Sequence, residues 1–140
     1  MGGYKYKLFG FFQGRELIAF VDLLDKIDFV YLNYLVVDEQ YRNNKVGSYI
    51  IEWVKRMFEN RTLVAEVEKP EQEAPNNDQR IKRLNFYYKN GFKDGMTEYN
   101  WNGTNMFYVY TGEVHDHIVM KNLRDITPTI KNEKPHMKSI

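Results

Sequence analysis

Arg42 and Lys45 stand close together in a polar stretch, Asp38-Glu39-Gln40-Tyr41-Arg42-Asn43-Asn44-Lys45-Val46-Gly47-Ser48, that joins an apolar run to an amphipathic one. Two cations followed by a glycine suit an anion, and phosphate in particular. The side chains bring charge, and Gly47 lets a ligand approach the backbone with no Cβ in the way. If the stretch leads from a strand into a helix, unpaired backbone N–H groups and the positive end of the helix dipole point at the same place. Other reactive types are scarce. The chain has no cysteine, which removes disulfides, thiol nucleophiles and cysteine-ligated metal. His115-Asp116-His117 is the nearest thing to a metal cluster, but on a helix residues i and i+2 do not share a face, so no metal is expected.

The flanking runs have the character needed to position such a loop. Phe29-Val30-Tyr31-Leu32-Asn33-Tyr34-Leu35-Val36-Val37 is apolar on both alternating faces, as in a central strand covered on both sides. After the loop, Val46, Tyr49, Ile50, Trp53, Val54, Met57 and Phe58 recur at helical spacing and predict a core-facing stripe, with Glu52, Lys55, Arg56 and Glu59 turned outward. Upstream, Tyr4 to Phe12 and Glu16 to Leu24 read as strands separated by the turn at Gln13-Gly14, which makes a three-strand antiparallel meander with the central strand.

Downstream, Thr62 to Glu68 reads as a strand reached by a strand–helix–strand crossover, hence parallel to the central one. Lys69 to Asp78 is a proline-containing acidic loop that ends in a helix N-cap. A helix is predicted from about Gln79 to Asn90 with Ile81, Leu84 and Tyr88 on one face, closed by Gly91 and Phe92. Asn102-Gly103 is a hairpin turn between strands near Thr97–Trp101 and Asn105–Thr111. Glu113 to Asp125 predicts a closing helix with Ile118, Val119 and Leu123 inward, and Trp53 and Trp101 read as core or sheet cover. The expectation is a single-domain α/β (α+β) fold over residues 1–126, with a mixed, mainly antiparallel twisted sheet and helices on both faces, then a polar tail over 127–140.

The polar loop resembles the acetyl-CoA pyrophosphate loop of the GNAT N-acetyltransferase superfamily, which reads Arg/Gln-x-x-Gly-x-Gly/Ala. Arg42 and Gly47 match the outer positions, and Lys45 stands where the first glycine is usual. A second stretch, Arg83-Leu84-Asn85-Phe86-Tyr87-Tyr88-Lys89-Asn90-Gly91-Phe92, is similar to the late GNAT helix that ends in Phe/Leu-Tyr-x-x-x-Gly-Phe. The two motifs occur in the family's order, and the resemblance covers roughly Tyr4 to Tyr110.

The resemblance implies acetyl transfer from acetyl-CoA to a primary amine by direct attack in a ternary complex. The cosubstrate would lie between the central strand and the Thr62–Glu68 strand, its pyrophosphate on Arg42, Asn43, Asn44, Lys45, Val46, Gly47 and Ser48. Backbone groups of Leu35, Val36 and Val37 would hold the pantetheine arm, with one N–H polarising the thioester carbonyl. Tyr87 matches the tyrosine that protonates the departing thiolate, and Asn85 would touch the cosubstrate from the same helix. An amine with a lysine-like pKa of ~10.4 arrives protonated and needs a base. Glu68, preferred over Glu66 because it is nearer the strand's C-terminal end, is the expected base.

A net charge of +1 makes no case for nucleic acid or a membrane surface as partner. Without a signal peptide, lipidation motif or long apolar span, the expected location is cytoplasmic. The expected partner is a small-molecule or peptide amine. Members of the resembled family usually begin with a strand and two helices that cover the acceptor side. This sequence starts at what looks like the second strand, so an open acceptor pocket is expected. Two alternatives stand beside this reading: a degenerate fold of the same family that binds acetyl-CoA or a protein partner without catalysis, and an α+β interaction domain whose aromatic sheet edge forms a homodimer.

Overall fold

The computed structural model describes residues 5–42, 45–59, 61–113 and 116–124. Asn43, Asn44, His115 and the tail from Thr127 lie outside them. In chain order the elements are β1 (Lys5–Gln13), β2 (Glu16–Asp25), β3 (Val30–Val37), a 3-10 turn (Glu39–Tyr41), α1 (Val46–Met57), β4 (Leu63–Glu68), α2 (Asn77–Lys89), β5 (Lys93–Trp101), β6 (Thr104–Tyr110) and α3 (Asp116–Arg124). The strands form one sheet in the order β1-β2-β3-β4-β6-β5. Only β3 and β4 pair in parallel, across the α1 crossover, and the other neighbours are antiparallel. The β5–β6 hairpin closes on Asn102 and Gly103, both at positive φ, the geometry for which Asn-Gly is suited.

Helices cover both faces, as the sequence predicts. On the first face α1 and α2 pack Ile50, Ile51, Val54, Leu84 and Phe86 on Val21, Val30, Leu32, Ala65 and Val109. On the second face α3 sets Val119 and Leu123 among Tyr31, Val64, Tyr108 and Tyr110. The Asp116 carboxylate that opens α3 accepts from the backbone N–H groups of Met96 at 2.6 Å and Thr97 at 2.5 Å, and from the Tyr110 hydroxyl. It serves a register shift in β5, between Asp94 and Glu98, and β5 accordingly begins earlier than the alternating pattern implies. Trp53 packs edge-on against Phe9 and Phe11, with ring centroids 4.9 and 5.1 Å away.

Two helix faces differ from expectation. In α1 the buried set is Gly47, Ile50, Ile51 and Val54, while Tyr49 is 59% exposed and Met57 is also exposed. Ile51 takes the place that the stripe assigned to Tyr49, because tyrosine can leave its ring in water and isoleucine cannot do so cheaply. In α2, Leu84 is buried as expected, but Phe86, Tyr87, Arg80 and Arg83 are its buried companions, and Ile81 and Tyr88 are exposed. Two arginines face inward because a carboxylate on β4 meets them there.

Candidate active site

The sheet opens at one place. β3 and β4 pair only where Val30, Tyr31 and Leu32 face Leu63, Val64 and Ala65. On its other edge β3 stays paired with β2, but Asp22 faces Tyr34 and Leu23 faces Leu32, so Asn33 is an extra residue. Such a bulge bends its strand and increases the local twist. Here it turns β3 away from β4, and Val30 and Leu32 before the bulge and Leu35 and Val37 after it all join the same core, a change of parity that only an inserted residue permits.

A cavity of ≈ 650 Å³ lies between the start of α1 and the flank of α2 and reaches β3 at Val37. Val37, Tyr41, Arg42, Lys45, Val46, Gly47 and Ser48 line one wall. Gln79, Lys82, Arg83, Asn85, Phe86 and Lys89 line the other. Among these described residues five are cations and none is a carboxylate. The first turn of α1 likewise carries no acidic residue, so nothing competes with a bound anion for its free N–H groups and dipole. Lys45 occupies the N-cap at φ 65 and ψ 12, the left-handed region. That conformation explains why glycine is usual there. Lys45 holds this backbone despite its side chain and adds a cation.

Neighbouring contacts fix both walls. Asp38 caps the 3-10 turn through the Gln40 N–H at 3.0 Å, and Arg42 Nε donates to the Val37 carbonyl at 3.1 Å. The α2 helix ends as its sequence predicts. The Gly91 N–H reaches the Tyr88 carbonyl, the Phe92 N–H reaches the Tyr87 carbonyl, and Gly91 has φ +90. Asn90 at that end donates to Ser48 Oγ at 3.1 Å, and Lys55 donates to the Asn90 carbonyl at 2.6 Å.

Of the residues singled out from sequence, Val37, Arg42, Lys45, Val46, Gly47, Ser48 and Asn85 line the cavity. Leu35 is buried in the first core below it, and Val36 is half-buried on the opposite side of β3. Asn43 and Asn44 fall outside the described residues. Sequence reasoning missed Tyr41, Gln79, Lys82, Arg83, Phe86 and Lys89; the spacing of Gln79, Lys82, Phe86 and Lys89 puts them on one flank of α2 and was available as a signal.

Tyr87 is buried, edge-on to Phe86 and Phe92 with centroids 5.4 and 4.9 Å away. Burial pushes its pKa up, and the nearby Arg83 charge opposes the rise. Arg83 is itself lowered by burial, against the pull of Tyr87 and Glu68. The buried Tyr31 phenol marks where the two sides meet: burial raises it well above the usual range, and Glu66, Tyr108, Tyr87 and Tyr34 all push in the same direction.

The two β4 carboxylates differ sharply. Glu68 lies 3.4 Å from Arg80 Nη2 and 3.6 Å from Arg83 Nη1, and accepts from Asn76 at 3.4 Å. Glu66 accepts from the Tyr99 hydroxyl. Burial foremost, then Glu66, raises the Tyr99 phenol. The neighbouring Tyr108, ring centroid 5.3 Å from Tyr99, is pushed up to about 12 by burial, which the hydrogen bond with Tyr99 partly offsets. Among the described residues no group of three or more histidine, aspartate or glutamate side chains could hold a metal, and no helix is long and apolar enough to cross a membrane.

This geometry can be set beside known proteins. A family model described as the acetyltransferase (GNAT) domain matches residues 6–94. No curated protein sequence matches the chain. Among solved structures, the chain is similar to a protein from Bacteroides thetaiotaomicron described as a GNAT-family acetyltransferase, with TM-score 0.71, 22% identity and coverage of 87% of this chain and 72% of that one. It is similar to the PaiA N-acetyltransferase of Thermoplasma acidophilum in complex with coenzyme A, with TM-score 0.60, 21% identity and coverage of 77% and 61%. The ribosomal-protein-S18-alanine N-acetyltransferase of Escherichia coli gives TM-score 0.60, 20% identity and coverage of 81% and 74%. These likenesses concern the fold. With the family match over most of the chain, a strand pair that splays at a bulge and a cation-lined helix start, the chain belongs to the GNAT acetyltransferase family.

Proposed function

We propose that this protein is an N-acetyltransferase that moves an acetyl group from acetyl-CoA to a primary amine. The observation that carries the reading is the cavity at the start of α1, with five cationic side chains and no carboxylate among its described lining residues, reaching β3 at Val37, beyond the residues that pair β3 with β4. The residues fit a diphosphate-bearing ligand in charge and in backbone donors. The complex of the Thermoplasma relative with coenzyme A supports the same ligand class.

Acetyl-CoA supplies an acetyl group activated as a thioester, so that forming the N–C bond of the product breaks the C–S bond. Arg42, Lys45, Lys82, Arg83 and Lys89 bind and orient the anionic portion, and the unpaired edge of β3 beyond Asn33 lies where the arm would run. Glu66 accepts the proton that the amine loses. It takes this role in place of Glu68, which is held between the Arg80 and Arg83 cations, whereas Glu66 accepts from the neutral phenol of Tyr99. Tyr87, kept protonated by burial, gives its proton to the departing sulfur. Arg83 beside it stabilises the phenolate left behind, and solvent restores both groups. The left-handed backbone of Lys45 is the conformation a glycine would take there, which favours a working loop over a degenerate one.

The test is thiol release from acetyl-CoA in the presence of a panel of primary amines. The chain contains no cysteine, so every thiol detected comes from the cosubstrate. Amine-dependent release is expected. Release no faster than the amine-free rate, with acetyl-CoA bound, would replace this reading by a non-catalytic binder.

A further inference from the structure

We propose that Asp22, Asn33 and Glu66 form the acceptor subsite and that it takes a primary amine carrying a second positive charge, such as an alkyl diamine. The proposal rests on the acetyl-transfer reading for its chemistry, and on an independent part of the sheet for its geometry. Asp22 lies between Val21 and Leu23, both in the core under α1 and α2, so alternation turns it to the opposite face. Glu66, between Ala65 and Val67 of the same core, turns to that face too. Asn33 is the bulged residue, and its Nδ2 donates to Asp22 Oδ2 at 3.2 Å, which places it beside Asp22. Asn33 and Glu66 directly follow the last paired residues of the two strands, Leu32 and Ala65. The three side chains therefore gather at the apex of the gap, on the side away from the cation-lined cavity.

What points to a ligand is a surplus of acceptors. Asp22 is 4% exposed and Asn33 9%. Asp22 Oδ2 accepts from the Tyr6 hydroxyl at 2.5 Å and from Asn33, yet Asp22 Oδ1 and Asn33 Oδ1 have no hydrogen-bond partner among the described residues. Buried acceptors are almost always satisfied, and an orphaned pair needs an explanation. An ammonium group brings three donors and the charge that a buried carboxylate lacks. A divalent metal fits poorly, because calcium or magnesium requires six or more oxygens in a set geometry. Tyr6, 58% exposed, reaches this carboxylate from the edge strand β1.

Spacing sets the class. β2 and β4 lie on either side of β3, so the backbones at Asp22 and Glu66 are roughly 10 Å apart, a span that inward side chains reduce to that of a short diamine. One nitrogen then sits at Glu66 beside the Tyr31 and Tyr99 rings, where the acetyl group is delivered. The second rests on Asp22 and Asn33.

The experiment is a calorimetric titration of 1,4-diaminobutane and of butylamine into the intact chain at neutral pH, with coenzyme A titrated into the same preparation. The diamine should bind at least tenfold tighter than the monoamine. Asp22→Asn should bring the two within about twofold of each other while leaving coenzyme A affinity unchanged. Equal binding of the two amines to the intact chain, or a diamine preference that survives Asp22→Asn, overturns the proposal. The comparison on the intact chain decides the matter even if the variant does not fold. A diamine preference without coenzyme A binding would sink the acetyl-transfer reading and spare the subsite. Coenzyme A binding without a diamine preference would do the reverse.

Discussion

The side-chain amide of Asn90, at the C-terminal end of α2, donates to the hydroxyl of Ser48 in the first turn of α1 at 3.1 Å. The same amide also caps α2 through the Phe86 carbonyl at 2.8 Å. One side chain thus ties the helix that carries Tyr87 to the loop that carries Arg42 and Lys45. The two walls of the cavity are held in register by a buried residue on neither wall. Asn90→Ala should weaken coenzyme A binding several-fold and destabilise the protein by ~1–2 kcal/mol, one buried hydrogen-bond set. Binding calorimetry beside chemical denaturation checks both.

Lys45 holds a left-handed backbone at φ 65 with a full side chain. Replacing it with glycine removes steric strain and adds unfolded-state entropy, for a net gain of about 0.5–1 kcal/mol. The same change removes one of five cavity cations. Lys45→Gly should therefore unfold at a higher denaturant concentration and bind coenzyme A more weakly, with a shallower salt dependence. A variant that lost stability would show that the Lys45 side chain makes a contact outweighing its backbone strain.

Glu66 and Glu68 are separable by experiment. Glu66→Gln should lower kcat by roughly 10²-fold or more and flatten the acid limb of the pH–rate profile, leaving the KM for acetyl-CoA unchanged. Glu68→Gln should act on stability. It removes the charge facing Arg80 and Arg83, whose side chains are 10% and 11% exposed, and should cost ~3 kcal/mol. If the two variants exchanged phenotypes, Glu68 would be the base after all.

Tyr87→Phe keeps the ring contacts with Phe86 and Phe92 and removes only the hydroxyl. It should reduce kcat by ~10²-fold or more with little change in unfolding midpoint. Tyr87→Ala should instead lose ~3–5 kcal/mol through the cavity it leaves.

Asp22 makes a prediction about pH. Burial is the main cause of its raised pKa, opposed by hydrogen bonds from Tyr6 and Asn33. The folded state therefore holds the proton more tightly than the unfolded state. The stability linked to Asp22 is fully present below its ordinary pKa near 3.8 and is lost as pH rises through the raised folded value. Asp22→Asn should accordingly stabilise the unliganded protein at pH 7, with the gain shrinking toward pH 3, as thermal unfolding across that range would record.

Much of this architecture was legible in the sequence because the signals were local. Alternation marked the strands, Asn102-Gly103 the hairpin, and Gly91-Phe92 the end of α2. The helix faces were less legible, since Tyr49 and Ile51 compete for the same stripe and helical spacing counted from Val46 selects the tyrosine. The inward turn of Arg80 and Arg83 was not legible because their partner, Glu68, lies on another element. The bulge had left a trace, a lone Asn33 in an apolar run, but its consequence for the β3–β4 pairing depends on which strand lies beside it. The Glu66–Tyr99 and Asp22–Asn33 contacts join positions far apart in sequence, brought together only by strand order.

The central claim is that the loop at the start of α1 holds the diphosphate of acetyl-CoA. It is tested most directly by calorimetric titration of acetyl-CoA into the intact chain and into Gly47→Glu, which sets a carboxylate at the positive end of the helix. The account predicts low-micromolar binding to the intact chain, weakening as salt is raised, and no measurable binding to the variant. Absence of binding to the intact chain, or equal binding by the two, would contradict it.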